Sequence, residues 1–174
     1  VAKKAAEAVK ASGAKKLIVL NPYDACIFRD QYSQWELLDG VEVVTFTTVL
    51  AELIAKGALK PEKVELKASL QEPVKLTRGL EEIAPLKEIV AALGIDHLEL
   101  YLNGEMSRCV GTGILDGYVP EVTREMVRVR FEDAERLGGN VLLAASPDDL
   151  YVLNKHATGE REVVDLFDLI NSVC

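Results

Sequence analysis

The sequence predicts an α/β domain with a largely parallel sheet flanked by helices. Short apolar runs alternate with longer amphipathic segments along the chain, which is the pattern of repeated βαβ units. Several of the short runs are continuously apolar, as expected for strands that are covered on both faces. The length of 174 residues matches a single domain that can bury a sizeable core.

The first third of the chain reads as two strands set between three helices. The strands are the runs 16–20 and 42–46. The first helix spans 2–12 and ends at Gly13, the second spans about 24–38, and Thr47 or Thr48 is expected to cap the third.

The rest of the chain continues the alternation. Alternating polarity predicts a half-buried strand over 63–70, and further strands are expected at 97–102, 141–145 and 162–164. Helices are predicted at 79–93 with Pro85 in the early part, at 120–137, from about Pro147, and from the cap Asp165 to about 172; residues 103–117 read as a glycine-bearing loop.

Two segments, about 13–60 and 138–174, repeat the same signals in the same order. Each opens with glycine and an apolar strand that ends in a residue followed by proline, Asn21-Pro22 or Ser146-Pro147. Each then reaches Glu-Val-Val and a helix that contains Leu-Ile. The pattern favours internal duplication, and the alternative is two unrelated βαβ units of similar composition.

Charge and hydropathy exclude several classes of partner. The net charge is −8 and the basic residues are scattered, so no nucleic-acid partner is expected. No apolar run approaches the roughly 20 residues needed to cross a bilayer. The chain begins inside a predicted helix without a methionine or a signal peptide, so we expect a fragment of a longer protein.

The cysteines and histidines show no disulfide or metal framework. Cys26, Cys109 and Cys174 are odd in number and far apart, which favours a reducing, cytoplasmic setting. His97 and His156 have no spacing suited to a metal pair, and both are expected in surface or loop positions.

Four short segments follow predicted strands, where open α/β sheets place their chemistry. The four loops are Asn21-Pro22-Tyr23-Asp24, Gln71-Glu72-Pro73-Val74, Cys109-Val110-Gly111-Thr112-Gly113 and Ser146-Pro147-Asp148-Asp149. Parallel strands deliver such loops to one edge of the sheet, so we expect the four to line one concavity, closed by side chains such as Tyr23, Val74 and Val110.

The order and spacing of these loops resemble the cysteine-rich (CCG) domain of heterodisulfide reductase-like proteins, which include iron–sulfur subunits of glycolate-oxidising enzymes. Typical members read Cys-Pro-x-Cys, His-Asp-Pro-Cys with a nearby arginine, Cys-Cys-Gly, and Cys-Pro-x-Cys again. Their thiolates hold an iron–sulfur cluster. The resemblance implies that residues 1–174 form a single domain of this kind.

This chain departs from the family pattern at nearly every thiol. Prolines remain at Pro22, Pro73 and Pro147, and Gly111 and one cysteine, Cys109, remain in the third loop. Arg78 is the match for the family's arginine. The other positions at which the family has a cysteine ligand carry different residues here. These positions are Asn21, Asp24, Val74, Val110, Ser146 and Asp149.

The resemblance therefore implies a degenerate copy without a cofactor of its own. A 4Fe–4S cluster normally takes four cysteine thiolates, and Cys26 and Cys174 do not fit the pattern. The acidic residues of the loops could instead bind Mg²⁺ or Ca²⁺, or simply cap helices and face water; they are Asp24, Glu72, Asp148 and Asp149.

Two functions follow as hypotheses. The first is a structural or subunit-interaction module of an iron–sulfur electron-transfer oxidoreductase, whose partner is an iron–sulfur or flavin subunit or domain. The alternative is an active redox domain that uses Cys109 as a thiol, or that shares a cluster with another segment or subunit.

Overall fold

The strands form two parallel sheets in a computed structural model that describes every residue from Val1 to Cys174. One sheet pairs β1 (Lys16–Val19) with β2 (Glu42–Thr45). The other has four strands in the order β4-β3-β5-β6; they are β3 (Lys67–Gln71), β4 (Asp96–His97), β5 (Val141–Ala144) and β6 (Glu162–Asp165). The predicted α/β class is confirmed, with two parallel sheets.

Nine α-helices flank these sheets. They are α1 (Ala2–Ala11), α2 (Pro22–Cys26), α3 (Tyr32–Gln34), α4 (Phe46–Ala55), α5 (Ala84–Ala92), α6 (Gly113–Tyr118), α7 (Pro120–Glu135), α8 (Pro147–His156) and α9 (Leu166–Ser172). Two π-helical turns, Ile27–Gln31 and Lys75–Gly79, and a 3₁₀ turn, Gly104–Met106, complete the regular structure. None of the helices combines the length and the apolar character that crossing a membrane would require.

The two segments that repeat in sequence have the same strand register. Lys16 of β1 lies opposite Glu42 of β2, and Val141 of β5 lies opposite Glu162 of β6. Each pair continues for four residues, and each second strand leads directly into a helix, α4 or α9. Position 16 thus corresponds to position 141, and the residues that follow correspond in turn.

The helices after β1 and β5 begin in the same way. The Asn21 side chain accepts a hydrogen bond from the Tyr23 amide at 3.0 Å, and Ser146 Oγ accepts one from the Asp149 amide at 3.2 Å. Pro22 and Pro147 occupy the first helical position, where a missing N–H costs nothing.

The core lies on both faces of the four-stranded sheet. One apolar cluster packs β3 and β5 against α4, α5 and α9, and it reaches β1 through Val19. A second cluster packs the opposite face of β5, Leu142 and Ala144, against α7 and α8. The continuous apolar sequence of β5 is explained because the strand is covered on both sides.

Several predicted boundaries were wrong. The strand predicted from residue 63 begins at Lys67, is central, and has buried side chains on both faces. The helix predicted from residue 79 begins at Ala84, because the chain first makes a π-helical turn and Glu81 adopts a positive φ of 60°. The strand predicted at 97–102 reduces to Asp96–His97 at a sheet edge. Thr45 caps α4, because its side chain accepts the Thr48 amide.

Candidate functional site

The first loop contacts the fourth and the second, although they are far apart in sequence. Asn21 Nδ2 donates a hydrogen bond to Asp148 Oδ2 at 3.0 Å. Lys75, which follows the second loop, places its ammonium 5.7 Å from the centre of the Tyr23 ring. Asn21 and Tyr23 are half-buried by these contacts.

Gln71 connects the second loop to the third and to the helix beneath them. Its Nε2 donates to the carbonyl oxygen of Arg108 at 3.0 Å, and its Oε1 accepts from Arg130 Nε at 2.7 Å. Gln71 is fully buried at the end of the central strand β3. Hydrogen bonds thus join the first loop to the fourth, and the second loop to Arg108 beside the third, and we call this cluster of contacts the loop edge. The expectation that every loop follows a strand is wrong for the third loop, because β4 ends at His97 and a 3₁₀ turn precedes Cys109.

Arg130 lies under this edge as a fully buried cation on α7. Besides Gln71, it contacts the carbonyl oxygen of Leu102 through Nη1 at 3.0 Å, while Nη2 has no partner. Burial lowers the pKa of the guanidinium to about 10. Arg130 was not among the predicted site residues. The pattern that indicates it is an arginine among the inward-facing positions of α7, which include Val127 and Phe131.

Asp149, in the fourth loop, has a buried carboxyl group. Oδ2 has no hydrogen-bond partner. Its pKa is raised to about 7, mainly by burial and also by the charge of Asp148, although hydrogen bonds with Gln71 and Ser146 act in the opposite direction. This carboxyl group thus belongs to the interior under the loops.

Glu72 is the second buried acid of the loop edge. Its Oε2 accepts the amide of Gly104, and Oε1 has no partner. The expectation that the loop acids cap helices or face water is wrong for Glu72 and Asp149. It holds for Asp24, which is exposed.

Cys109 is half-buried in the third loop, and Val110 beside it is completely buried. Cys109 Sγ accepts the amide of Gly111 at 3.3 Å. The thiol borders a shallow groove of about 310 Å³ that is also lined by Arg108 and Met126. Cys109 therefore opens toward α7.

Tyr23 covers the meeting point of the loops. The pKa of its hydroxyl is raised to about 12, mainly by burial and also by the neighbouring groups Cys109 and Asp149. Tyr23 therefore stays a neutral phenol at physiological pH.

Not every predicted site residue reaches this centre. Pro73 is buried and Val74 is half-buried at the start of the second π-helical turn. Arg78 is exposed and lines an open cleft of about 740 Å³ together with Thr77 and Glu105. Its side chain thus faces a different cavity from the groove at Cys109.

The donor set does not fit an iron–sulfur cluster. No group of three or more histidine, cysteine, aspartate or glutamate side chains lies close enough to hold a metal ion. Asn21 and Ser146 already accept helix amides, and hydroxyl and amide oxygens are poor ligands for iron that prefers thiolates. The Cys26 thiol donates to the carbonyl oxygen of Lys75, with Sγ 3.7 Å from that oxygen, and Cys174 is exposed.

A buried ion pair beside the third loop was not predicted. Asp116 of α6 contacts His156 Nε2 at 2.5 Å and also accepts from Lys155 Nζ at 2.5 Å. These two donors lower the pKa of Asp116, the lysine contributing most. The predicted surface position is therefore wrong for His156, which is buried, because a partner 40 residues away in sequence satisfies its ring.

Comparison with known proteins gives two distant relatives, and no protein-family model matches the chain. The chain is 27% identical over 164 residues to a probable iron–sulfur-binding oxidoreductase, FadF, of Bacillus subtilis (strain 168), which covers 90% of this chain and 23% of that protein. It is 29% identical over 102 residues to the EtfAB:quinone oxidoreductase of Syntrophomonas wolfei subsp. wolfei (strain DSM 2245B / Goettingen), which covers 58% of this chain and 14% of that protein. Each match therefore spans less than a quarter of the relative, and both relatives are named oxidoreductases.

Proposed function

We propose that this chain is a degenerate, cluster-free copy of the cysteine-rich (CCG) domain, acting as a structural or subunit-interaction module of an iron–sulfur electron-transfer oxidoreductase. The observation that carries the proposal is that the loops converge while the residues in place of thiols bond to the protein itself. Ser146 and Asn21 cap helices, and Asp149 turns into the interior.

The polar contacts under the loops give a physical reason why the edge can persist without a metal. In a cluster protein, iron–thiolate bonds join loops that are distant in sequence. Here the Asn21–Asp148 hydrogen bond joins the first and fourth loops, and the buried Arg130–Gln71 hydrogen bond joins the second loop to α7. A buried, charge-assisted hydrogen bond is among the stronger non-covalent links of this kind.

The partner in this proposal is an iron–sulfur or flavin subunit or domain of a cytoplasmic redox complex. The name of the Bacillus relative supports the iron–sulfur association, and its match extends over 90% of this chain. The net charge of −8 favours a partner surface of basic character.

Iron binding tests the proposal directly. The chain is purified without oxygen, incubated with ferrous iron and sulfide, and desalted, and then iron per chain and visible absorbance are measured. We expect substoichiometric iron and no cluster absorbance, because a 4Fe–4S cluster needs about four thiolates. The control variant is Cys109→Ser, which should give the same result. Stoichiometric iron that the wild type retains and Cys109→Ser loses would reject the proposal.

A second candidate, an active thiol at Cys109, is supported by the position of that residue at the edge of an open groove. The rate of alkylation at neutral pH separates the two candidates. The cluster-free module predicts that Cys109 reacts no faster than Cys174, because Cys109 is half-buried whereas Cys174 is exposed. Selective, faster modification of Cys109 would favour the redox candidate.

A further inference from the structure

Corresponding strands of the two repeated units differ in the number of their neighbours. β5 pairs with β6 on one side and with β3 on the other. β1 corresponds to β5 and pairs with β2, but no strand lies at its second edge. The edge that β3 occupies in one unit is therefore open in the other.

The burial of corresponding side chains follows this difference. Leu143 and Ala145, at the end of β5, are 0% exposed. The corresponding Ile18 and Leu20 are apolar as well, yet they are 49% and 46% exposed. The same difference in exposure is seen in the first turns of α2 and α8, where Asp24 corresponds to Asp149. Asp24 is exposed, whereas Asp149 is buried.

The backbone groups at the open edge can be identified from the pairing. Successive residues of a strand direct their N–H and C=O groups to opposite sides. The carbonyl of Lys15 accepts the amide of Glu42 on the β2 side, so Leu17 and Val19 also face β2. The groups of Ile18 and Leu20 consequently face the open edge, beside their exposed apolar side chains.

This edge has little protection against pairing. Natural edge strands are commonly blunted by inward-pointing charges, proline, bulges or a covering element. Lys16 at the start of β1 is the one charged residue of the strand, and it pairs with Glu42 of the neighbouring strand at 3.2 Å. The apolar end of β1 carries no such protection.

We propose that the open edge of β1 receives a parallel strand of a partner polypeptide, apolar in sequence and followed by a helix, as β3 pairs with β5. In the second unit, Ser69 and Leu70 of β3 lie opposite Leu142 and Leu143 of β5. Because Leu142 and Leu143 correspond to Leu17 and Ile18, the central residues of the partner strand would lie opposite Leu17 and Ile18. This edge would be the contact site of the interaction module proposed above. The binding of a strand can be tested without that proposal, and only the biological role of the partner rests on it.

Amide hydrogen exchange of the isotope-labelled 174-residue chain tests the surface. The probe is a synthetic peptide with the sequence of residues 64–74, which contains β3. In the free chain we expect rapid exchange at Ile18 and Leu20 and slow exchange at Leu143. With the peptide at about ten times its dissociation constant, exchange at Ile18 and Leu20 should slow about tenfold, whereas Leu17 and Val19 should change little because they already face β2.

Two controls make the result specific. A peptide with proline in place of Ser69 should give no protection, because it lacks a ladder donor. The carbonyls of Leu66 and Ala68 accept amides on the β4 side, so Ser69 is the residue whose N–H faces β5. The double variant Ile18→Lys, Leu20→Lys should fold and lose peptide-dependent protection, whereas Ile27→Lys, at another exposed apolar site, should retain it.

No protection at millimolar peptide would overturn the proposal. Protection that rises with the concentration of the chain alone would also overturn it, since the occupant would then be a second copy. The iron assay does not depend on this edge, so the failure of one proposal is distinguishable from the failure of the other.

Discussion

The guanidinium of Arg130 shows how single residues hold the loop edge together. It is fully buried and reaches two elements at once, Gln71 at the end of β3 and the carbonyl of Leu102. A buried charge is tolerated only where acceptors replace water. The loop edge is thus stabilised from below by a residue that lies outside the four loops.

Replacing Arg130 with methionine should lower the free energy of unfolding by about 3 kcal/mol, because removing one member of a buried charged network leaves its acceptors unpaired. Urea denaturation measures the change. The control is Arg128→Met on the same helix, where the arginine is exposed and pairs with Glu125 and Glu132. The control should show little change, and an equally small loss for Arg130→Met would contradict this role.

The buried carboxyl group of Asp149 predicts a pH dependence of stability. Its folded pKa of about 7 lies above the unfolded value of about 3.9. The folded state therefore binds this proton more tightly, and ionisation costs stability as the pH rises from about 4 to about 7. Below that window the cost is absent, and above it the cost is complete, at most about 4 kcal/mol.

Asp149→Asn should remove this cost, since the amide does not ionise. The difference in unfolding free energy between the variant and the wild type should shift in favour of the variant across this pH window. The control is Asp24→Asn, at the corresponding but exposed position of the first unit, for which a flat difference is expected. A flat difference for Asp149→Asn as well would show that the carboxyl group does not hold a proton.

At the scale of elements, the third loop is fixed by its close approach to α7. Gly111 has a φ of +100°, and a Cβ atom there would lie 2.8 Å from Thr123 Cγ2. Both the backbone conformation and the contact exclude a side chain. Position 111 therefore requires glycine for a structural reason that does not involve a cluster.

Gly111→Ala should destabilise the protein by about 1–3 kcal/mol, the usual cost of a residue held in a disfavoured conformation. Thermal unfolding is a suitable measurement. Gly117→Ala is the matched control, because that glycine has no positive φ and a methyl group added there would meet no atom within 4 Å. The control should be neutral or slightly stabilising in α6. Equal effects of the two variants would exclude the packing explanation.

The elements that the sequence predicts well are those with local signals. Pro147 after the cap Ser146 marked the start of α8, and Asp165 marked the start of α9, because capping depends on adjacent residues. The predicted bounds were wrong where packing or backbone conformation determines where an element begins or ends. The positive φ of Glu81 delays α5, and β4 is limited to two residues that pair with β3.

For the candidate site as well, some features follow from local sequence or topology and others depend on contacts between distant residues. Parallel topology predicts that loops which follow strands lie at the same edge of a sheet. The second and fourth loops follow β3 and β5 of one sheet, but the first loop follows β1 of the other sheet and the third loop follows no strand. The inward orientation of Asp149 and the pairing of His156 with Asp116 depend on contacts between distant segments. No local pattern contains that information, so the polar network beneath the loops was not predicted.

At the scale of the whole molecule, the two-stranded and four-stranded sheets must be held together by side chains, because no strand pairing joins them. The rings of Phe46 and Phe167, at the starts of α4 and α9, meet edge to face with centroids 5.2 Å apart. The apolar core also continues from Val19 of β1 to the residues around β3 and β5. One polar residue, Glu82, adds a directional link.

Glu82 follows β3 in the chain but binds the first unit. Its carboxylate accepts from Arg29 Nη2 at 2.6 Å and from Thr48 Oγ1 at 2.7 Å, and it also accepts from the hydroxyl of Thr45, the cap of α4. The side chain is only 15% exposed. Loss of its charge should therefore weaken the start of α4 as well as the contact between the sheets.

Glu82→Gln should lower the unfolding free energy by about 1–3 kcal/mol, as expected when hydrogen bonds to a charged group are weakened. Hydrogen exchange should accelerate at the first turn of α4 and much less at α8, which Glu82 does not contact. Glu88→Gln on α5 is the control, because that glutamate is exposed. If Glu82→Gln cannot be distinguished from Glu88→Gln in stability and exchange, the coupling of the sheets must come from the other contacts between them, such as the apolar contact of Phe46 with Phe167.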